Sequence, residues 1–186
     1  MYIENNRVQK ALVVGVDKLS EFTNKQDIGT IVILSDGAGA TLLEKSEVEK
    51  KYSCHIEAKS ENNQILTCKT HEKIQMNGKE IYKYAVTQTI KNIEKLLEKS
   101  DEKLENIKYI VPHQSNIRIM DKIAERLKIN KNKMYTNIEY TGNTFCGSIP
   151  IAISEMLEKK LLNKGDKIIL LGYGGGLNTG SILLEI

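Results

Sequence analysis

Ile110-Val111-Pro112-His113-Gln114-Ser115-Asn116 carries the end of one predicted element into the start of the next. Residues 109–112 read as a short apolar strand, stopped by a proline that has no N–H to give to a ladder. Asn116 is a helix-capping residue type. Ile117, Met120, Ile123, Ala124 and Leu127 then recur at the spacing of an inward helical face. A strand handing over to a helix is the unit of an α/β layered domain, and the chain continues that alternation in both directions.

Downstream, the pattern predicts a helix over 148–162, with Pro150 tolerated in its first turn and Lys164-Gly165-Asp166 ending it. Strands over 167–172 and 181–186 close the chain. Upstream, Ile81, Tyr84, Ala85, Gln88, Ile90, Ile93, Leu96 and Leu97 share one face of a helix that runs from Lys79 and fades near Ser100-Asp101. Lys10–Asp17 is a continuous apolar run, the pattern of a strand buried on both faces. Residues 29–35 and 38–43 flank Asp36-Gly37, which predicts a hairpin and assigns Asp36 to its turn. Residues 45–75 are polar and irregular, with weak strand alternation at 53–58 and 64–68.

Composition narrows the function. The formal charge of +3 is spread as lysines among glutamates, and tryptophan is absent, so neither a nucleic-acid groove nor a base-stacking platform is indicated. No apolar run approaches the ~20 residues of a membrane helix. The N-terminus lacks the basic-then-apolar order of a signal peptide. Three cysteines cannot all pair, and a reducing cytoplasm is the expected setting.

Three features point to chemistry: His113 at a strand end, Asn143 within Thr141-Gly142-Asn143-Thr144, and the run Gly172-Tyr173-Gly174-Gly175-Gly176. Together they outline an acyl-transfer site with no evident nucleophile. Each also has a plain structural reading: a satisfied strand-end histidine, a turn residue, and a strand-to-strand turn. The glycine run lacks the spacing and the Lys-Ser/Thr ending of a P-loop. Cys54-His55 and Cys68-x-x-His71 have spacings unlike common zinc frameworks, so no metal site is expected.

The residues resemble a known family. Val111-Pro112-His113-Gln114-Ser115-Asn116-Ile117-Arg118 is similar to the Val-Pro-His-Gln-Ala-Asn-Leu-Arg signature of β-ketoacyl-acyl-carrier-protein synthase III, a thiolase-like condensing enzyme. Leu12-Val13-Val14-Gly15, Asp36-Gly37-Ala38-Gly39-Ala40, Met76-Asn77-Gly78-Lys79-Glu80-Ile81-Tyr82, Gly142-Asn143-Thr144 and Gly174-Gly175-Gly176 agree in order and spacing. The resemblance covers the chain except 45–72. It implies a thiolase-like layered α/β fold, with 1–75 ending the N-terminal half and 76–186 forming the C-terminal half.

It further implies decarboxylative condensation of an acyl thioester, from acyl-CoA or acyl carrier protein, with malonyl carrier protein in fatty acid biosynthesis. No cofactor is implied. His113 and Asn143 are the implied catalytic donors, and Gly175 supplies an oxyanion-hole N–H. Asn116 supports His113 or simply caps its helix. Arg118 docks the acidic carrier protein or is a solvated helix residue. A cytoplasmic homodimer is the implied assembly. The family's nucleophilic cysteine lies on a helix ahead of the Val-Val-Gly strand, so the expectation is a C-terminal portion that lacks it and is inactive without a partner chain or the missing half. Phe145 is bulkier than the family residue, and the tryptophan common after the glycine run is absent, which implies an altered acyl pocket. Two readings compete: a non-catalytic remnant that binds an acyl carrier or partner, and a thioester hydrolase or transferase using Cys146. Core packing near the site is the expected role of Cys146.

Overall fold

The computed structural model describes residues 2–60 and 64–186. Its centre is a four-stranded mixed sheet in the order β3 (Tyr52–Ala58), β8 (Asn178–Glu185), β7 (Lys167–Gly174), β6 (Ile107–Pro112). β6 and β7 run parallel, while β7–β8 and β3–β8 are antiparallel. Parallel neighbours need a long crossover. The chain makes it through α3 (Ile117–Arg126), a short α4 (Ile138–Thr141) and α5 (Ser148–Glu158).

Strand alternation sends successive β6 residues to opposite layers. Ile110 joins Ile93 and Leu96 of α2 (Gly78–Ser100), Met120 and Ile123 of α3, and Leu183. Val111 joins Ala152 and Met156 of α5 on the other face. Both layers are therefore built on the strand that ends at His113. Asn77 caps α2 by accepting from Glu80 N, and Asp101 ends it in a left-handed conformation, as the fading pattern predicts. Two expectations shift in detail. α5 ends at Glu158 rather than at 162, since Lys160 takes φ 54° and cannot continue a helix. In α3, Ile119 is the buried residue of the first turn and Ile117 faces out.

The predicted hairpin at Asp36-Gly37 does not form. Residues Ile28–Ile31 instead make a helical turn, α1, because the Asp27 carboxylate accepts from Gly29 N at 2.9 Å and Thr30 Oγ1 at 3.0 Å. Asp36 accepts from both Ser20 N and Ser20 Oγ at 2.7 Å, and this holds its pKa below the usual carboxylate range. β2 (Gly37–Glu44) pairs antiparallel with β1 (Lys10–Asp17), Asp17 opposite Gly37. A further ribbon joins β4 (Leu66–Thr67) to β5 (Gln75–Met76).

The apolar run of β1 is covered only around Gly15, since Val13, on the same face as that glycine, is itself 51 % exposed. Leu12, Val14 and Val16 stand 57–65 % exposed. The opposite face carries Gly15, with Gly37 and Gly39 on β2, and lies directly on the turn Phe145–Gly147 and the start of α5. A Cβ at Gly15 would fall 2.3 Å from the Cys146 carbonyl oxygen, and one at Gly39 would fall 2.7 Å from Pro150 Cβ. Glycine is required by close backbone approach. Gly15→Ala should therefore lower stability by about 1–3 kcal/mol, the range for forced overpacking. The denaturant midpoint reads this, and an unmoved midpoint would show that the ribbon does not bear on the 145–147 turn.

Candidate active site

His113 extends the β6 ladder, its N–H donating to Leu171 O at 2.7 Å. The next residue locks the exit. Gln114 is fully buried; its Nε2 donates to Pro112 O (2.8 Å) and Tyr135 O (3.1 Å), and its Oε1 accepts from Asn137 N (3.0 Å). A buried amide with its capacity used in this way fixes both the strand end and the loop that leads to Asn143. The His113 ring lies edge-on to Tyr173, centroids 5.4 Å apart at 70°. Tyr173 OH bonds Ser115 Oγ, which takes the place of the alanine in the Val-Pro-His-Gln-Ala-Asn pattern. Burial pushes the Tyr173 hydroxyl pKa well up.

Desolvation pulls the His113 pKa down to about 4, opposed by the charge of Asp17. The ring is therefore neutral at pH 7, with one nitrogen to donate and one to accept. Its Nδ1 lies 2.7 Å from Ser148 Oγ.

Asn143 is held from both sides. Its N–H donates to Ile33 O and its carbonyl accepts from Ser35 N, both at 2.9 Å, so the segment after α1 forms a parallel bridge with it. Gly142, at φ 69°, makes the bend just before it. Phe145 takes a left-handed φ of 45°, uncommon for an aromatic residue, and its N–H donates to Asn143 Oδ1 at 3.0 Å. With Oδ1 occupied, Asn143 is left with its Nδ2 donors for a ligand.

His113, Asn143 and Gly175 all line one cavity of about 500 Å³. Its other walls include Ile33, Met76, Ile81 and Phe145. The size and apolar lining suit a small ligand held by a few polar groups. Gly175 sits in the β7–β8 turn, where its carbonyl accepts from Asn178 Nδ2 at 2.8 Å. Asn116 caps α3, its Oδ1 accepting from Arg118 N at 2.9 Å; it also lines the cavity. Arg118 is exposed at the first turn of α3.

Cys146 also lines the cavity, but its thiol donates to Asp17 Oδ2 at 2.7 Å and its N–H donates to the same oxygen at 3.0 Å. Burial and the adjacent carboxylate both push the thiol pKa up, the opposite of what an activated nucleophile needs. Cys54, His55, Cys68 and His71 gather no metal set. Among the described residues no group of three or more His, Cys, Asp or Glu side chains is placed to hold an ion. Motif reading passed over Gln114 as a clamp, Ser148 and Tyr173 as neighbours of His113, and Asp17 as the thiol's partner. Of these, only Gln114 adjoins the histidine in sequence.

The family model of 3-oxoacyl-(acyl-carrier-protein) synthase III matches residues 1–62, and that of the same enzyme's C terminal matches residues 97–186. The chain is 43 % identical to the beta-ketoacyl-(acyl-carrier-protein) synthase III of Clostridium novyi, over 99 % of this chain and 61 % of the relative. It is 37 % identical to that of Clostridium tetani, over 99 % of this chain and 62 % of the relative. The crystal structure of 3-oxoacyl-(acyl-carrier-protein) synthase III from Aquifex aeolicus superposes with a TM-score of 0.96 at 35 % identity, over all of this chain and 60 % of that one. The chain thus spans about three-fifths of the length of the relatives it matches.

Proposed function

The chain belongs to the 3-oxoacyl-(acyl-carrier-protein) synthase III family of acyltransferases, and from that membership we propose that it carries the decarboxylating side of a condensing site in fatty acid biosynthesis. The substrates are a malonyl thioester on an acyl carrier protein and an acyl thioester. The bond between the malonyl α-carbon and its carboxylate breaks, CO2 leaves, and the electron pair passes into the thioester carbonyl as an enolate. Negative charge develops on one oxygen, and His113 and Asn143 donate to it. Such preorganised donors are worth about 3–4 kcal/mol each. The enolate carbon then attacks the acyl thioester on a cysteine, forming the new C–C bond, and the cysteine thiolate leaves. Gly175 N–H stabilises the tetrahedral oxyanion of that step. Because the thioester carbonyl is itself the electron sink, the chemistry calls for no cofactor.

The observation that carries this reading is the orientation of Asn143. Phe145 N–H occupies its oxygen, so a neutral amide donor and a neutral imidazole face one apolar cavity. The condensing cysteine belongs, on this reading, to the two-fifths of the relatives' length that the chain does not span, with residues 1–75 ending one thiolase-like half and 76–186 forming the other. The exposed apolar face of β1 favours association with the segment or partner chain that brings the cysteine, within a homodimer. Arg118 is the docking cation for the acidic carrier protein. Among the described residues no helix is long and apolar enough to cross a membrane, and the proposed setting is cytoplasmic.

The test is product formation. The chain assembled with a polypeptide carrying the family's preceding segment should convert malonyl carrier protein and an acyl-CoA or acyl carrier protein into a 3-oxoacyl product, read by mass spectrometry. Cys146→Ser should leave that rate unchanged. Loss of product in Cys146→Ser would move the acyl chemistry onto Cys146. An assembled protein that neither condenses nor releases CO2 would make the chain a non-catalytic binding remnant.

A further inference from the structure

Two hydroxyl groups stand beside His113 in the cavity, and they share one hydrogen bond. Tyr173 OH bonds Ser115 Oγ, and among the described residues neither oxygen has another protein partner. Ser115 follows His113 by two residues, its N–H donating to His113 O at 3.0 Å, and the Tyr173 ring lies edge-on to the imidazole. Both side chains line the cavity that His113, Asn143 and Gly175 share. Two hydroxyls bring two protons. One is used in the bond between them, so the other is free for a ligand.

Acidity assigns the free proton. A phenol ordinarily titrates at about pH 10, far below an aliphatic alcohol, so Tyr173 is the better donor and Ser115 Oγ the better acceptor. Burial raises the Tyr173 pKa further and keeps the phenol protonated at pH 7. The Ser115 O–H is then the donor without a protein acceptor. A malonyl thioester offers it two groups, the thioester carbonyl and the carboxylate. The carbonyl oxygen has two lone pairs, and in the proposed function His113 and Asn143 take both. The carboxylate is the group left. Among the described residues no lysine or arginine lines the cavity to meet it, so a carboxylate there depends on neutral donors.

We propose that Ser115 is a substrate-binding residue: held by Tyr173, its hydroxyl donates to the malonyl carboxylate and lets the cavity tell a malonyl thioester from an acetyl one. This deepens the proposed function and rests on its placing of a malonyl thioester in this cavity. The contact belongs to the ground state. As the bond to the α-carbon breaks, the electron pair moves to the thioester oxygen and the carboxylate becomes neutral CO2. The hydrogen bond from Ser115 therefore weakens on the way to the transition state. Binding of this kind lowers KM and kcat together and leaves kcat/KM nearly unchanged.

Calorimetric titration of the assembled protein with malonyl-pantetheine amide and acetyl-pantetheine amide tests it. The two probes differ by one carboxylate, and the amide in place of the thioester resists decarboxylation. Ser115→Ala should weaken the malonyl probe about tenfold, the size of a hydrogen bond to a charged group, and leave the acetyl probe within about twofold. Tyr173→Phe keeps the ring against His113 and the serine hydroxyl but removes what holds that hydroxyl, so its loss should be smaller, about threefold. In CO2 release from malonyl carrier protein, Ser115→Ala should raise kcat and KM by similar factors. Alanine stands at this place in the Val-Pro-His-Gln-Ala-Asn pattern, so the variant should fold. Equal losses for both probes, or none for either, would overturn the proposal. So would a fall in kcat at constant KM, which would put the hydroxyl on the enolate oxygen. The titration needs no turnover. A protein that holds the malonyl probe through Ser115 but never condenses refutes the proposed function alone; one that condenses, with malonyl affinity unmoved in Ser115→Ala, refutes the role of Ser115 alone.

Discussion

Asn143→Asp should reduce CO2 release from malonyl carrier protein by at least about 10³-fold in the assembled enzyme, because it both deletes a donor and introduces repulsion at the same oxygen. The substitution preserves shape. Phe145 N–H, now 3.0 Å from Asn143 Oδ1, can donate equally well to a carboxylate oxygen, and the backbone bonds to Ile33 and Ser35 do not involve the side chain. What changes is the outward-facing group, from an NH2 to an anionic oxygen. Losing a donor costs about 3–4 kcal/mol. A unit charge about 4 Å from the developing enolate adds repulsion on the order of 4 kcal/mol at an effective dielectric of about 20. Thermal unfolding should stay close to wild type, which separates a chemical loss from a structural one. A decrease smaller than tenfold in CO2 release, with the fold intact, would remove Asn143 from the donor set.

The β6–α3 unit was legible because its signals are local: a short apolar run, an asparagine that caps, and apolar residues at helical spacing. α2 was legible for the same reason, its period running unbroken from the Asn77 cap to Ser100. The β1–β2 ribbon misled on two points. Asp-Gly is a strong hairpin signal only between two strands, and the run ahead of it folds as a turn because Asp27 caps it. Gly37, read as a turn residue, instead lies in β2 against Thr144 and Gly147.

Within the site, His113, Asn143 and Gly175 could be named from motif, and all three line the cavity. Their supporting contacts could not. Ser148 lies 35 positions from His113 and Asp17 lies 129 from Cys146, and no sequence period links residues so far apart. Gln114 was hidden differently. It sits inside the motif, but nothing in its spacing says that it is fully buried and ties Pro112 to the stretch from Tyr135 to Asn137.

His113→Ala is the second large effect expected, a fall of about 10²–10³-fold in CO2 release, equivalent to one lost oxyanion donor. The pH dependence identifies the mechanism more sharply than the magnitude does. Burial moves the His113 pKa from its ordinary 6.5 down to about 4, and the charge of Asp17 only partly opposes that. The ring is then the same neutral donor from pH 8 to pH 5, and Asn143 does not titrate, so decarboxylation should be flat across that range. An inflection near 6.5 that vanishes in His113→Ala would show instead that water reaches the imidazole and that it titrates normally.

Stability carries the opposite sign. The unfolded chain takes up a proton on His113 near 6.5, whereas the folded chain does so only near 4, so the unfolded state holds more protons between these values. Stability should therefore fall as pH drops through that window, by about 3 kcal/mol for a shift of this size. His113→Ala should flatten that part of the stability curve, measured by denaturant unfolding at matched pH. If His113 and Asn143 serve one oxygen, His113→Ala combined with Asn143→Asp should lose less than the product of the two single losses, as residues acting as a unit do. Fully multiplicative losses would assign the two side chains to separate steps.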